Sequence, residues 1–213
     1  MPDNPGKPMR YWNRFTAPDG TWRKNPVTGL AGPPPGEDLA ALRRGLSVPP
    51  GTSLPIWRLC SAPVDDRLAR RDQVTPEQRA EHAALALYGL HQQSQRTPMH
   101  KRGVSAGAAL RTMRSTGAYS GDAVDRRVNA AVTATSTRVF VARLRGLVTQ
   151  LRGQGLPLDY DLLVRDLMAY ERPAGRAAVR ERWAVAYYSR RPPGRRPDEH
   201  VSLSPRISEP CHE

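Results

Sequence analysis

The chain has 213 residues and carries 33 Lys+Arg against 20 Asp+Glu, a formal net charge of +13. That length fits one globular domain with loose ends. An apolar share of 38% predicts a modest core rather than a large multilayer one. Two cysteines, Cys60 and Cys211, exclude a disulfide framework and a cysteine-rich zinc site. No apolar run reaches the roughly 18 residues of a membrane span, and the N-terminus lacks the apolar core of a secretory signal. The expectation is a cytoplasmic protein with an anionic partner.

Proline marks both flanks: eight of the 21 prolines fall in residues 1–35 and five in 192–213. Neither flank has a periodic apolar pattern, so residues 1–35 read as largely irregular and 191–213 as a disordered tail. Tyr11, Trp12, Phe15 and Trp22 are too many aromatics for a solvated tail, so residues 10–24 form a candidate docked segment.

The body, residues 36–190, reads as helix after helix. A short helix is expected over 37–46, and a packed connector over 53–60. The strongest start signal follows: Thr75 as N-cap, Pro76 at the first helical position and Gln78 as capping-box partner. Ala80, Ala83, Ala84, Leu87 and Leu90 then recur at helical spacing, an Ala-rich surface that another helix can approach closely. Ser105 caps a helix over about 105–115, Gly117 and Gly121 frame a turn, and 123–132 carries Val124, Val128, Ala131 and Val132 on one stripe. Thr135 or Ser136 caps a longer helix whose apolar face is Phe140, Leu144, Leu147, Val148 and Leu151. Gly153, Gly155 and Pro157 end it, Asp159 caps the next helix, and Pro173 opens the last, which presents Val179, Trp183, Ala186 and Tyr187. No period-2 run of useful length is present. The fold class is all-α, a helical bundle with short connections and irregular N- and C-terminal flanks.

The charge is not spread evenly. Residues 95–191 hold 18 Lys+Arg and 7 Asp+Glu, which places +11 of the +13 in the second half of the helical body. A GC-rich genome favours Arg over Lys, and 30 of the basic residues are Arg, but codon bias leaves the acidic residues free to balance them. Arg138, Arg145 and Arg152 recur at seven-residue spacing on one helix stripe. Arg111 and Arg114 are i, i+3 neighbours, like charges at helical neighbour spacing repel, and few acids intervene. Taken singly each Arg reads as a solvated side chain. Taken together they point to phosphates, whose oxygens match the guanidinium fork.

Catalytic readings fail on chemistry. Gly103-Val-Ser-Ala-Gly107 matches the nucleophile-elbow spacing, but no core strand precedes it, and Ser105 is better read as a helix cap. The histidines (His82, His91, His100, His200 and His212) show no metal-ligand spacing and no accompanying acid cluster, so neither metal nor cofactor is expected. Trp12, Trp22, Trp57, Trp183, Tyr187 and Tyr188 are candidates for base stacking. At their helical spacing, Trp183 and Tyr187 fit core positions better.

An ordered series of segments resembles a known family. It comprises Pro35-Gly-Glu-Asp-Leu-Ala-Ala-Leu-Arg-Arg-Gly45 with Trp57, then Ala80-Glu-His-Ala-Ala-Leu-Ala-Leu-Tyr-Gly-Leu-His-Gln-Gln-Ser94. Met99-His-Lys-Arg-Gly-Val-Ser-Ala-Gly-Ala-Ala-Leu110 and Asp125-Arg-Arg-Val-Asn-Ala130 follow. Leu144-Arg-Gly-Leu-Val-Thr-Gln-Leu-Arg152, Pro157-Leu-Asp-Tyr160 and the final Arg182-Trp183 with Tyr187-Tyr188 complete it. Together these resemble the CasB family, the small subunit of the type I-E CRISPR Cascade complex, in its actinobacterial form. The resemblance implies a non-enzymatic, all-helical subunit present as two head-to-tail copies beside other Cascade subunits. It implies contacts to CRISPR RNA, target strand and displaced DNA strand that follow the backbone rather than the sequence. Carried onto this chain, the nucleic-acid-binding candidates are Arg43, Arg44, Lys101, Arg102, Arg111, Arg114, Arg126, Arg127 and Arg143. The rival expectation is a free-standing basic helical DNA- or RNA-binding or transcription-associated protein, for which a recognition helix and a dimer element are not evident.

Overall fold

The computed structural model describes residues 8–189. Ten α-helices and one 3₁₀ turn occur among the described residues: α1 Tyr11–Phe15, α2 Gly36–Arg44, the 3₁₀ turn Gly45–Ser47, α3 Leu54–Trp57, α4 Asp66–Ala69, α5 Pro76–Gln92, α6 Ala106–Ser115, α7 Gly121–Val132, α8 Thr137–Gly153, α9 Tyr160–Tyr170 and α10 Pro173–Tyr188. Among the described residues, three isolated backbone pairings stand in place of a sheet. The all-α expectation is met, and the tail expected beyond residue 190 lies outside the described residues.

The helix starts follow from side chains that satisfy the orphan N–H groups of a first turn. Thr75 Oγ1 accepts from Gln78 N at 3.0 Å while Gln78 Oε1 accepts from Thr75 N at 2.7 Å, a complete capping box. Ser105, Ser136 and Asp159 cap α6, α8 and α9. Helix α7 begins two residues earlier than expected, so Gly121 belongs to the helix rather than to the turn. Helix α4, capped by the Asp65 carboxylate, is a single turn without apolar periodicity, so the sequence pattern does not predict it.

Helix α5 is the axis of the bundle, with α2, α8 and α9 packed around it. It is buried on nearly all sides, so its sequence shows little amphipathic contrast. Two glycines set close helix crossings. A Cβ at Gly89 of α5 would lie 2.5 Å from Leu42 Cβ of α2. One at Gly107 of α6 would lie 2.7 Å from the Trp183 carbonyl of α10. Helix α8 is shared with a second layer, α6, α7, α8 and α10, which joins the first through α8 itself and through α9. Phe140 stacks on Tyr170 at 4.0 Å between ring centroids, with Trp183 beside them at 5.5 Å. The Tyr170 hydroxyl donates to the Ala134 and Val132 carbonyls at 2.7 and 2.9 Å, closing the end of α7.

Helix α1 brings the N-terminal segment into this core. Trp12 is 0% exposed and packs between Tyr88 and Tyr160. The Tyr11 hydroxyl donates to Asp38 of α2 at 2.9 Å, and the Trp12 indole N–H donates to Asp161 of α9 at 3.1 Å.

Candidate nucleic-acid interface

The nine candidate cations lie on several elements. Arg43 and Arg44 close α2, where a positive charge complements the helix dipole. Helix α2 packs on α5 and α3, so this pair stands apart from the second layer. Lys101 and Arg102 lie on the loop before α6. The Lys101 backbone N–H is held by the Leu158 carbonyl, and its side-chain stem packs against Gly20, whose φ of +87° suits glycine. Arg126 and Arg127 are exposed on α7 and Arg143 is exposed on α8.

Arg111 and Arg114 of α6 are tied down. Arg111 Nη1 donates to the Ser189 carbonyl at 2.7 Å. Arg114 forms a two-pronged pair with Asp125 of α7, Nε to Oδ1 at 2.9 Å and Nη2 to Oδ2 at 3.2 Å. The Tyr187 hydroxyl donates to the same carboxylate at 2.5 Å. Hydrogen bonds from Arg114 first, and then Tyr187, hold the Asp125 carboxyl below its ordinary range. The expectation that few acids intervene therefore fails at Arg114, because Asp125 lies on another helix and only packing brings it there.

The seven-residue stripe on α8 also divides. Arg138 and Arg145 are exposed, whereas Arg152 is half-buried and donates to Gln93 at 3.0 Å. Arg138 and Arg145 flank Arg143 on an exposed α8 surface that also includes Val139, Ala142, Gly146 and Thr149, and they belong with the candidates.

The fold assembles one acid–histidine cluster that spacing did not reveal: His100, Asp159 and Asp161 bring their ligand atoms within 4.8 Å of one another. Its donor set is already committed. His100 Nδ1 accepts the Tyr160 N–H at 3.1 Å, so the ring proton sits on Nε2 and is donated to Asn13 Oδ1 at 3.1 Å. Asn13 Nδ2 in turn donates to Asp161 Oδ2 at 2.9 Å. Asp159 Oδ1 caps α9, and its Oδ2 accepts from Gly103 N at 2.8 Å. These residues do not fit a metal ion. They form a hydrogen-bond relay that locks α1, the loop before α6 and the start of α9 together. Burial opposes the charge on Asp161, but the Asn13 hydrogen bond, the charge of the Arg10 guanidinium and the Trp12 N–H outweigh it and lower its carboxyl pKa.

Two further expectations resolve plainly. Ser105 Oγ accepts from Ala108 N at 3.3 Å, so it serves as a cap. Of the six aromatic stacking candidates, Trp12, Trp183 and Tyr187 are buried, Trp22 and Trp57 are half-buried, and Tyr188 alone is exposed, at 71%.

Residues 38–188 match the family model for the CRISPR-associated protein Cse2. Among solved structures, CasB from Thermobifida fusca is 31% identical, with a TM-score of 0.57 over 72% of this chain and 85% of that one. A Cse2-family CRISPR-associated protein from Thermus thermophilus is 28% identical, with a TM-score of 0.52 over 71% of this chain and 85% of that one. A chain of a CRISPR RNA-guided surveillance complex shares the fold at 24% identity, with a TM-score of 0.55 over 71% of this chain and 81% of that one. No curated protein sequence matches the chain. The match to the family model over most of the helical body, carried by the same arrangement of helices in solved CasB proteins, places the chain in the Cse2 (CasB) family of type I-E CRISPR systems.

Proposed function

We propose that this chain is a non-catalytic small subunit of a type I-E Cascade complex. It binds CRISPR RNA and target DNA through their backbones and stabilises the R-loop during antiviral defence. Its partners are the guide RNA, the target and displaced DNA strands, other Cascade subunits and a second copy of itself, head to tail, in the cytoplasm. The likeness to a chain of an RNA-guided surveillance complex supports the assembly. Among the described residues, no helix is long and apolar enough to cross a membrane.

The observation that carries the nucleic-acid part is the exposed arginine set of the second layer, above all Arg126 and Arg127 on α7, with Arg143 on α8. These side chains bear charge without a base-reading motif, the pattern expected of backbone contacts. The energetics suit the role. Exchanging a DNA duplex for an RNA–DNA heteroduplex is nearly balanced, and a charge-assisted hydrogen bond contributes roughly 1.5–3 kcal/mol. A few such contacts, made only to the open form, shift the balance.

The test is a double reversal, Arg126→Glu with Arg127→Glu, in a reconstituted complex. R-loop lifetime shortens while the subunit's thermal unfolding is unchanged, because both side chains are exposed. For single-stranded DNA, loss of two phosphate contacts lowers the slope of log K against log salt by about 1.4. An unchanged R-loop lifetime overturns the assignment, and strong preference for one DNA sequence returns the rival reading of a free-standing regulator.

A further inference from the structure

Helix α10 is apolar on two faces. Its inner face buries Val179, Trp183 and Tyr187, as the sequence pattern requires. Its outer face leaves Val185 67% and Tyr188 71% exposed. Residues three apart on a helix are neighbours, so Val185 and Tyr188 form a continuous patch that the bundle does not use.

That patch adjoins a shallow open groove of about 500 Å³ between α6 and α10. Ala108, Val185 and Ala186 supply its apolar lining, and Arg111, Arg182 and the single acid Glu181 its charged lining. Both guanidinium groups are held in place from within the fold. Arg111 is anchored on the Ser189 carbonyl beside Tyr188, and Arg182 on Asp166 at 2.6 Å. The Tyr188 ring stands edge-on to Tyr187 at 5.0 Å and 85°. Tyr187 is itself fixed by Asp125, and Asp125 by Arg114. An exposed aromatic face is therefore rigidly backed, and through Val185 it borders a groove that carries pre-oriented guanidinium groups; single-stranded nucleic acid requires both, a π surface for a base and guanidinium groups for the phosphates along its backbone.

We propose that Tyr188 stacks an unpaired nucleobase of single-stranded DNA, whose backbone runs along the α6–α10 groove past Arg111 and Arg182. The methyl groups of Ala108, Val185 and Ala186 favour deoxyribose, because they would desolvate a ribose 2′-hydroxyl without pairing it. Charge complementarity selects nucleic acid over a polypeptide poor in acidic residues as the occupant. The inference rests on the nucleic-acid reading above and adds a base contact to it.

The experiment uses the full-length chain at low salt and a mixed-sequence single-stranded DNA with a central 2-aminopurine. Wild type binds and changes the probe's fluorescence. Tyr188→Ala weakens binding about ten-fold and abolishes the fluorescence change, whereas Tyr188→Phe restores both. RNA of the same sequence binds more weakly and is indifferent to Tyr188→Ala. If Tyr188→Ala binds DNA as wild type does while the Arg126→Glu, Arg127→Glu chain loses affinity, the stacking proposal fails and the backbone reading stands. If wild type binds no single strand at all, both fail. If RNA shows the same dependence on Tyr188, the commitment to DNA is overturned. If Tyr188→Ala leaves DNA binding intact but loses another Cascade subunit, the groove is a protein-docking surface and the proposal is wrong.

Discussion

Truncating Trp12 tests whether the N-terminal segment is part of the fold. The indole is 0% exposed and touches Tyr88, Tyr160 and His100, with ring centroids 5.4–6.1 Å away. Trp→Ala at such a site costs about 3–5 kcal/mol through lost burial and the cavity left behind. The indole N–H to Asp161 adds to this only partly, because Asp161 retains Asn13 and Arg10. About 4 kcal/mol is a large share of the 5–15 kcal/mol typical of a domain. Urea unfolding at an m-value near 2 kcal/mol/M would therefore move the midpoint down by about 2 M. Trp12→Phe keeps most of the aromatic contact and should lose about half as much. The same anchor is acid-sensitive. The Asp161 carboxyl pKa is lowered in the fold, so its contribution is present above the ordinary carboxylate range and is lost as pH falls through the folded value. A Trp12→Ala midpoint shift below about 0.5 M at unchanged m would refute the docking of α1 in the core.

Two other buried groups yield predictions of a different kind. Burial drives the His91 ring pKa down to about 3, so it stays neutral in the fold while the unfolded chain takes up a proton below about 6.5. Stability should fall by about 1.4 kcal/mol per pH unit below that point, roughly 2 kcal/mol between pH 6.5 and pH 5. His91→Leu should make the profile shallower by about one proton, measured by urea melts at both pH values; an unaltered slope would contradict the buried neutral ring. Glu81, 0% exposed on α5, accepts from Ser61 N, Ser61 Oγ and Ala62 N at 2.6–3.0 Å and so ties down the chain between α3 and α4. Glu81→Ala leaves those donors unpaired and should cost about 2–4 kcal/mol, with faster amide exchange at Ser61 and Ala62; protection equal to wild type there would count against the anchor.

Most of the helices and their starts are legible in the amino-acid order, though not α1, α4 or the exact beginning of α7. Capping and hydrophobic periodicity are local, so Thr75 with Gln78, Ser105, Ser136 and Asp159 could be assigned from their neighbours alone. The sequence also determined the stripe that α8 turns inward, because a 3.6-residue period needs no knowledge of the partner helix. The ordered series of segments was enough to point to the family. Tertiary structure alone decided which charges are committed. Asp125 reaches Arg114 from a different helix, and Arg152 spends its guanidinium on Gln93. Nothing in local spacing distinguishes either from the exposed Arg126 and Arg127. The same holds for the relay through His100, Asn13 and Asp161, whose members are 61 to 148 residues apart along the chain. Tyr187 and Tyr188 are adjacent in sequence, yet one is buried and the other exposed. A turn of about 100° per residue separates them; the helical period already puts Tyr187 on the buried stripe with Trp183, and what only the tertiary structure adds is its partner, Asp125, brought up from α7.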